Sequence, residues 1–326
     1  MTGLFKQKTP VNFFVLLLFG LLIKLPVFLN PHLPVIRPGD GVLYKEMLRF
    51  LQPSNPIVYP LLTWLLLYVQ AVMLNRIVNR NRMMTVSTWF PGMSYMLITS
   101  LLPDWNYFSA PLLVNTFYLL IIQQLFKIYN ISDAKGKVYN VGLVAGIAAF
   151  FYFSSAAFTV WILLTMVIMR PFKLNEWMLC LLGVFTPFYF FAAGLFISDQ
   201  WDISRQLPHI VFGLPQLKQS VWLAASVLLL LLPFLFGGYF IQDGLRKMLI
   251  QVRKGWSLLL LFILFALFIP FLNDGGTLES WIFAAIPFAA FHASMYLYSS
   301  LRIVPLLFFW VTVVFIIAFQ YAGPRW

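Results

Sequence analysis

Apolar runs of bilayer-crossing length recur from one end of this chain to the other, and they limit the fold more than any other feature. A spanning helix needs about 20 predominantly apolar residues. Such runs lie at 11–29, 56–75, 85–102, 108–126, 139–153, 156–169, 177–196, 219–241, 256–272, 280–299 and 303–321. They predict an all-α, polytopic transmembrane bundle of about eleven spans, forming a single membrane domain over 1–326. Apolar residues make up 61% of the chain and charged ones 10%. Soluble domains run near 45–50% and 25%, so lipid must cover much of this surface. Trp and Tyr cluster toward the ends of the runs, as interfacial belts do.

The stretch 139–169 reads either as one long tilted helix or as two short helices joined near Ser154-Ser155, and charge decides between them. Lys135 and Lys137 precede it, while Arg170 and Lys173 follow it. A single span would put one pair outside, together with Arg246, Lys247, Arg253 and Lys254, whereas two short helices keep all of them on one side. With eleven spans and a cytoplasmic N-terminus, fifteen Lys and Arg fall inside: those four and the two pairs, with Lys6, Lys8, Arg76, Arg80, Arg82, Lys127 and Arg302. Six fall outside: Arg37, Lys45, Arg49, Arg205, Lys218 and Arg325. The acids lean the other way, with Asp40, Glu46, Asp104, Asp199, Asp202, Asp274 and Glu279 outside. The positive-inside rule therefore predicts a multi-pass protein of a bacterial inner membrane, with its C-terminus on the outer side. Lys24 lies near the outer end of the first run, where it is expected to snorkel. That run lacks a small-residue cleavage site and reads as a retained helix.

Several classes of chemistry find no support. The net charge of +12 sits in loops between spans, so it points to topology and not to nucleic acid. His32, His209 and His292 share no ligand spacing, so no metal site is expected. His292 reads as hydrogen-bonded to a neighbouring helix, and His32 and His209 as loop residues facing water. Cys180 lies inside an apolar run and reads as a packing residue. There is no GxxxxGK[ST] and no GxGxxG, so no nucleotide cofactor is expected. The spans are almost bare of charge and their prolines (Pro187, Pro233, Pro270 and Pro287) mark no two matching halves, unlike an ion-coupled carrier. The longest loops, 30–55 and 197–218, are too short to fold alone.

The first of these loops is the most informative. Pro31, Pro34 and Pro38 impose an extended approach. Asp40-Gly41 marks a turn, with Asp40 a candidate N-cap for an amphipathic helix over 42–51. Leu43, Met47, Phe50 and Leu51 would face the membrane and Lys45, Glu46 and Arg49 water, so the helix would lie in the interface plane. Pro53 and Pro56 end it, and the chain re-enters the membrane at Ile57.

This order resembles the opening of the GT-C superfamily of membrane glycosyltransferases: a first span, an outer loop with an acidic DExxY motif, a juxtamembrane helix and an HPPLYPLL-like approach to the second span. The counterparts are Asp40, Gly41 and Tyr44, then Asn55-Pro56-Ile57-Val58-Tyr59-Pro60-Leu61-Leu62. The segment from Phe108 to Leu113 resembles the approach to the superfamily's fourth helix, and the short pair between Gly142 and Arg170 is also similar. The resemblance covers residues 1–200, leaving 201–326 as additional helices. Gly41 replaces the second acid of the motif, Asn55 the histidine, and Ser109 an acid. More narrowly, Glu176-Trp177 through Pro187-Phe188-Tyr189-Phe190 resembles an uncharacterised family of bacterial membrane proteins.

The resemblance implies a transferase moving a sugar from a polyprenyl-phosphate donor to an envelope acceptor on the outer face, without a cofactor. Asp40 would be the base, with Asp104 a second candidate, and Arg37, Lys45, Arg205 and Lys218 would hold phosphate. The alternative is the same fold without catalysis, serving as a membrane subunit or assembly partner. In that case Asp40 merely caps a helix and the cations meet anionic headgroups.

Overall fold

The computed structural model of the chain describes residues 2–7, 9–51, 55–199, 212–213, 220–272, 278–301 and 303–323. A helix forms at each of the eleven apolar runs, and one more covers the amphipathic segment. In chain order they are α1 (Val11–Ile23), α2 (Val42–Phe50), α3 (Val58–Arg80), α4 (Phe90–Leu101), α5 (Ala110–Lys127), α6 (Lys135–Phe151), α7 (Phe158–Met169), α8 (Leu174–Ile197), α9 (Val221–Gly244), α10 (Ile250–Phe268), α11 (Ala285–Tyr298) and α12 (Ile303–Ala322). Short helices cover Thr2–Lys6 and Leu25–Leu29.

The protein is a helical, multi-pass membrane protein. Among the described residues, seven helical stretches are long and apolar enough to cross a bilayer: α3, α5, α8, Val221–Lys247, Ile250–Leu272, Leu278–Tyr298 and α12. At the other four expected spans, α1, α4, α6 and α7 have 13, 12, 17 and 12 residues, short of the ~20 that a straight crossing requires.

Burial divides the bundle into a centre and a lipid face. Every residue of α4 is buried, as is α11 from Ala285 to Tyr296, so these two short helices form the middle of the protein. In α8 and α9 the most apolar window is only 22% buried, and their exposed Phe185, Phe190, Leu228 and Leu235 have no solvent suited to them except lipid. Polar side chains tie the centre together, because an unpaired polar group in an apolar bundle is costly. Gln70 on α3 donates to Leu112 O on α5 at 2.7 Å and accepts from Tyr95 on α4 at 2.5 Å. Asn115 on α5 donates to the Tyr95 hydroxyl at 2.9 Å. The Nε2–H of His292 on α11 donates to Leu230 O on α9 at 2.7 Å, the helix-to-helix bond expected of it. Cys180 is fully buried.

The stretch 139–169 is two helices. Tyr152 turns extended after α6, a 3₁₀ turn covers Phe153–Ala157, and α7 follows. A Cβ on Gly142 would lie 2.0 Å from Cys180 O, and one on Gly146 2.4 Å from Val184 O. Since 142 faces 180 and 146 faces 184, α6 and α8 run parallel and pack directly on each other, and α7 is the returning segment that joins them along the chain. Gly142 and Gly146 form a GxxxG seam that brings the two backbones into contact. The returning helix places the flanking cations together: Lys135 and Lys173 line one cleft with Asp133 and Glu176. The same end holds the buried Arg170–Glu176 pair at 2.9 Å and Lys254, which donates to Met169 O at 3.2 Å. Asp40, Asp104 and Glu279 gather at the opposite end.

Candidate functional site at the first long loop

Residues 31–37 form neither helix nor strand, and the chain turns at Pro38-Gly39. Asp40 closes that turn. Its Oδ2 accepts from Arg37 N at 2.8 Å, and its own N–H donates to Arg37 O at 3.0 Å. Asp40 then pairs with Tyr152 in an isolated antiparallel bridge: Gly41 N donates to Phe151 O at 2.9 Å and Phe153 N to Gly39 O at 3.1 Å. The loop is thus stitched to the tip of the α6–α7 hairpin.

This corrects the expectation that Asp40 caps the amphipathic helix. The N-cap of α2 is Gly41, with no side-chain cap, because Asp40 stands one residue too early and spends its carboxylate on the preceding turn. The bridge also accounts for the missing second acid. A Cβ on Gly41 would stand 1.9 Å from Phe150 O, so this backbone has no room for a glutamate.

The helix itself forms where the spacing predicts, over Val42–Phe50. Tyr44 and Leu48 face the protein and are buried, while Leu43 and Phe50 are exposed, Phe50 to 94%. Tyr44 donates from its hydroxyl to Phe108 O at 3.3 Å, which docks α2 onto the approach to α5; burial pushes its phenol well above the usual range. On the outward side, Leu43, Met47, Phe50 and Phe151 line a largely apolar groove of about 670 Å³ together with Glu46 and Arg49.

Arg37 is the hub of the charged residues. Its Nη2 donates to Glu279 Oε1 at 2.7 Å, and its buried Nε has no partner. Sequence reasoning missed Glu279. It lies 242 positions from Arg37, and its only local signal was an acid at the mouth of an apolar run. Two further bonds pin this end of the chain: Trp105 donates from its indole to Leu278 O at 2.7 Å, and the Tyr152 and Ser280 hydroxyls bond at 2.9 Å.

Asp40 is only 3% exposed. Burial pushes its carboxyl up to about 6, against the opposing pull of the Arg37 N–H and of the Arg37 and Lys45 charges. Asp104 is raised too, first by burial, with Arg37 opposing. The geometry therefore gathers Asp40, Asp104, Glu279, Arg37 and Lys45. Arg37 is committed to Glu279, which leaves Lys45, whose ammonium has no hydrogen bond or ion pair to a described residue, as a cation free to meet an anion. Arg205 and Lys218 lie outside the described residues. Lys24 does not snorkel: it is 2% exposed, and its ammonium donates to Thr99 O at 3.3 Å and to Asn106 Oδ1. It points into the bundle because α1 ends at Ile23 and the chain bends there into Leu25–Leu29.

Among the described residues, no group of three or more His, Cys, Asp or Glu side chains is placed to hold a metal ion. A buried carboxyl that exchanges its proton near neutrality can take a proton from a hydroxyl, and a neighbouring free cation can hold a leaving phosphate. The sequence matches no family model and no curated protein, and the fold matches no solved structure.

Proposed function

We propose that this protein is a GT-C-like transferase of a bacterial inner membrane, moving a sugar from a polyprenyl-phosphate donor to an acceptor on the outer face. The observation that carries the reading is Asp40: a nearly inaccessible carboxyl pushed up to about 6, at the head of an amphipathic helix and beside an arginine–glutamate pair. Perturbed acids of this kind concentrate at functional sites, and a base works best with a pKa near ambient pH. The apolar groove along α2 suits a prenyl chain lying at the membrane edge, with Lys45 meeting the phosphate. In this reading the end bearing Arg37 and Asp40 faces outward, and the end bearing Lys135, Lys173 and Lys254 faces the cytoplasm, as the distribution of cations requires.

A second reading rests on the same residue. Asp40 bonds its own turn and lines none of the clefts described here, which suits a membrane subunit whose Asp40 only shapes the loop. Asp40→Asn separates the two. It keeps an acceptor for Arg37 N but removes the charge. At normal protein level, loss of an envelope glycan supports transfer, and wild-type glycans support the subunit.

A further inference from the structure

Between the extension of the first helix, the 3₁₀ turn Pro103–Asn106 and the end of α12 lies a cleft of about 180 Å³ with polar and apolar walls in nearly equal measure. Asn30, His32, Asp104, Tyr107, Phe319 and Gln320 line it. Two of these groups are uncommitted. The Asp104 carboxylate has no hydrogen bond or ion pair with any described residue, although Asp104 is half-buried. Both amide atoms of Gln320 are buried and without a partner. The unsatisfied buried amide of Gln320 calls for an explanation, and this cleft, with the Asp104 carboxylate facing no described partner, offers one. The Tyr107 ring, met edge-on by His32 at 4.7 Å, supplies an aromatic surface beside these acceptors and donors, and Phe319, stacked on Trp222 at 5.3 Å, closes the apolar side.

We propose that the cleft binds a single monosaccharide ring. A carboxylate and amides suit a ring of hydroxyls, and aromatic faces suit its C–H patches. The lining carries one acid and no lysine or arginine, which disfavours a phosphate. The volume is well below the ~300–1,000 Å³ of pockets for drug-sized ligands, which limits the occupant to about one ring. Asp104 is then a recognition residue that accepts from the sugar's hydroxyls. The cleft adjoins the loop site, because Asp104 feels the Arg37 charge and Tyr107 feels both Asp104 and Glu279. The assignment of the sugar as donor or acceptor rests on the transferase reading above; the binding itself does not.

The test is saturation-transfer NMR on the full chain in lipid nanodiscs, since glycoside detergents would compete. The probes are free glucose, galactose, mannose and N-acetylglucosamine at millimolar concentration. Transfer to the ring protons of at least one sugar is expected. Asp104→Ala should weaken it about tenfold or more, the size of one lost bond to a charged acceptor. Gln320→Ala should weaken it as well, and Lys173→Ala at the far end of the bundle should not. If Asp104→Ala fails to fold, Gln320→Ala decides. No transfer from any sugar, or transfer untouched in the folded variants, overturns the proposal. Binding combined with wild-type glycans in Asp40→Asn would sink the transferase reading and keep the cleft. No binding combined with lost glycans would do the reverse.

Discussion

Replacing Asp40 with asparagine should make the protein more stable at neutral pH, and the gain should vanish in acid. The carboxyl holds its proton up to about 6 in the fold, against 3.8 for an unperturbed aspartate. At about 1.4 kcal/mol per pH unit, the gap of roughly two units corresponds to about 3 kcal/mol. A carboxyl with a raised folded value contributes stability that is fully present below about pH 4 and is lost as the pH rises through 6. Above that range the wild-type protein holds a charge that burial disfavours, even after Arg37 and Lys45 have offset part of the cost. Asparagine resembles the protonated acid, keeps an oxygen for Arg37 N, and does not titrate. The stability difference should therefore be close to zero at pH 4, rise through pH 5–6, and level off near 3 kcal/mol by pH 8. Glu279 and Asp104 share the field of Arg37, so the rise should be broader than a single titration. The assay is denaturant unfolding of both proteins in one detergent across pH 4–8, followed by tryptophan fluorescence. A variant less stable than wild type at pH 8, or a difference that does not change with pH, would refute the reasoning, because either would mean that the Asp40 charge is satisfied in the fold.

Other perturbations should separate close packing from open surface. Gly142→Leu should destabilise by at least 1–3 kcal/mol, since even a Cβ there meets Cys180 O at 2.0 Å. Gly194→Ala on α8, with nothing within 4 Å, should stabilise by roughly 0.5–1 kcal/mol; thermal unfolding of the purified variants measures both. Glu176→Gln should cost about 3–5 kcal/mol, because it leaves the Arg170 guanidinium buried without its counter-charge. Glu46→Gln, in the exposed pair with Arg49, should change stability by less than 1 kcal/mol in the same measurement. Topology reporters fused after Arg82, Lys137, Lys173 and Lys254 should all report cytoplasm, and an outer signal after Lys173 would contradict the hairpin orientation.

What local pattern determines was legible in the sequence. Runs of apolar residues located eleven of the helices, the spacing of Leu43, Met47 and Phe50 between prolines located α2, and the cations around 139–169 indicated a hairpin. The GxxxG spacing of Gly142 and Gly146 was also there to be read, and it marks where α6 and α8 approach too closely to admit a Cβ. What escaped was pairing at a distance. Nothing near Glu279 indicates that Arg37 will meet it, and nothing near Lys24 shows that a bend after Ile23 will aim its ammonium at Asn106 and not at the interface. Asp40 stood out as a candidate base, and its expected role as a helix cap was wrong by one residue: that much register separates a cap from the closure of the preceding turn. Asp104 was singled out as an acid, but that it and Gln320 would lack partners was equally invisible, because a missing partner is a property of the whole fold.

The stitch between 39–41 and 151–153 has a practical consequence for anyone mapping the exposed segments of this protein. Surface loops usually accept an inserted epitope, because few backbone bonds depend on their path. Here two segments more than a hundred positions apart complete each other's backbone pairing. An insertion scan should find them intolerant together, each tag undoing the bond that the other segment supplies. Partial rescue should come only from substitutions that loosen the joint, and not from added linker length.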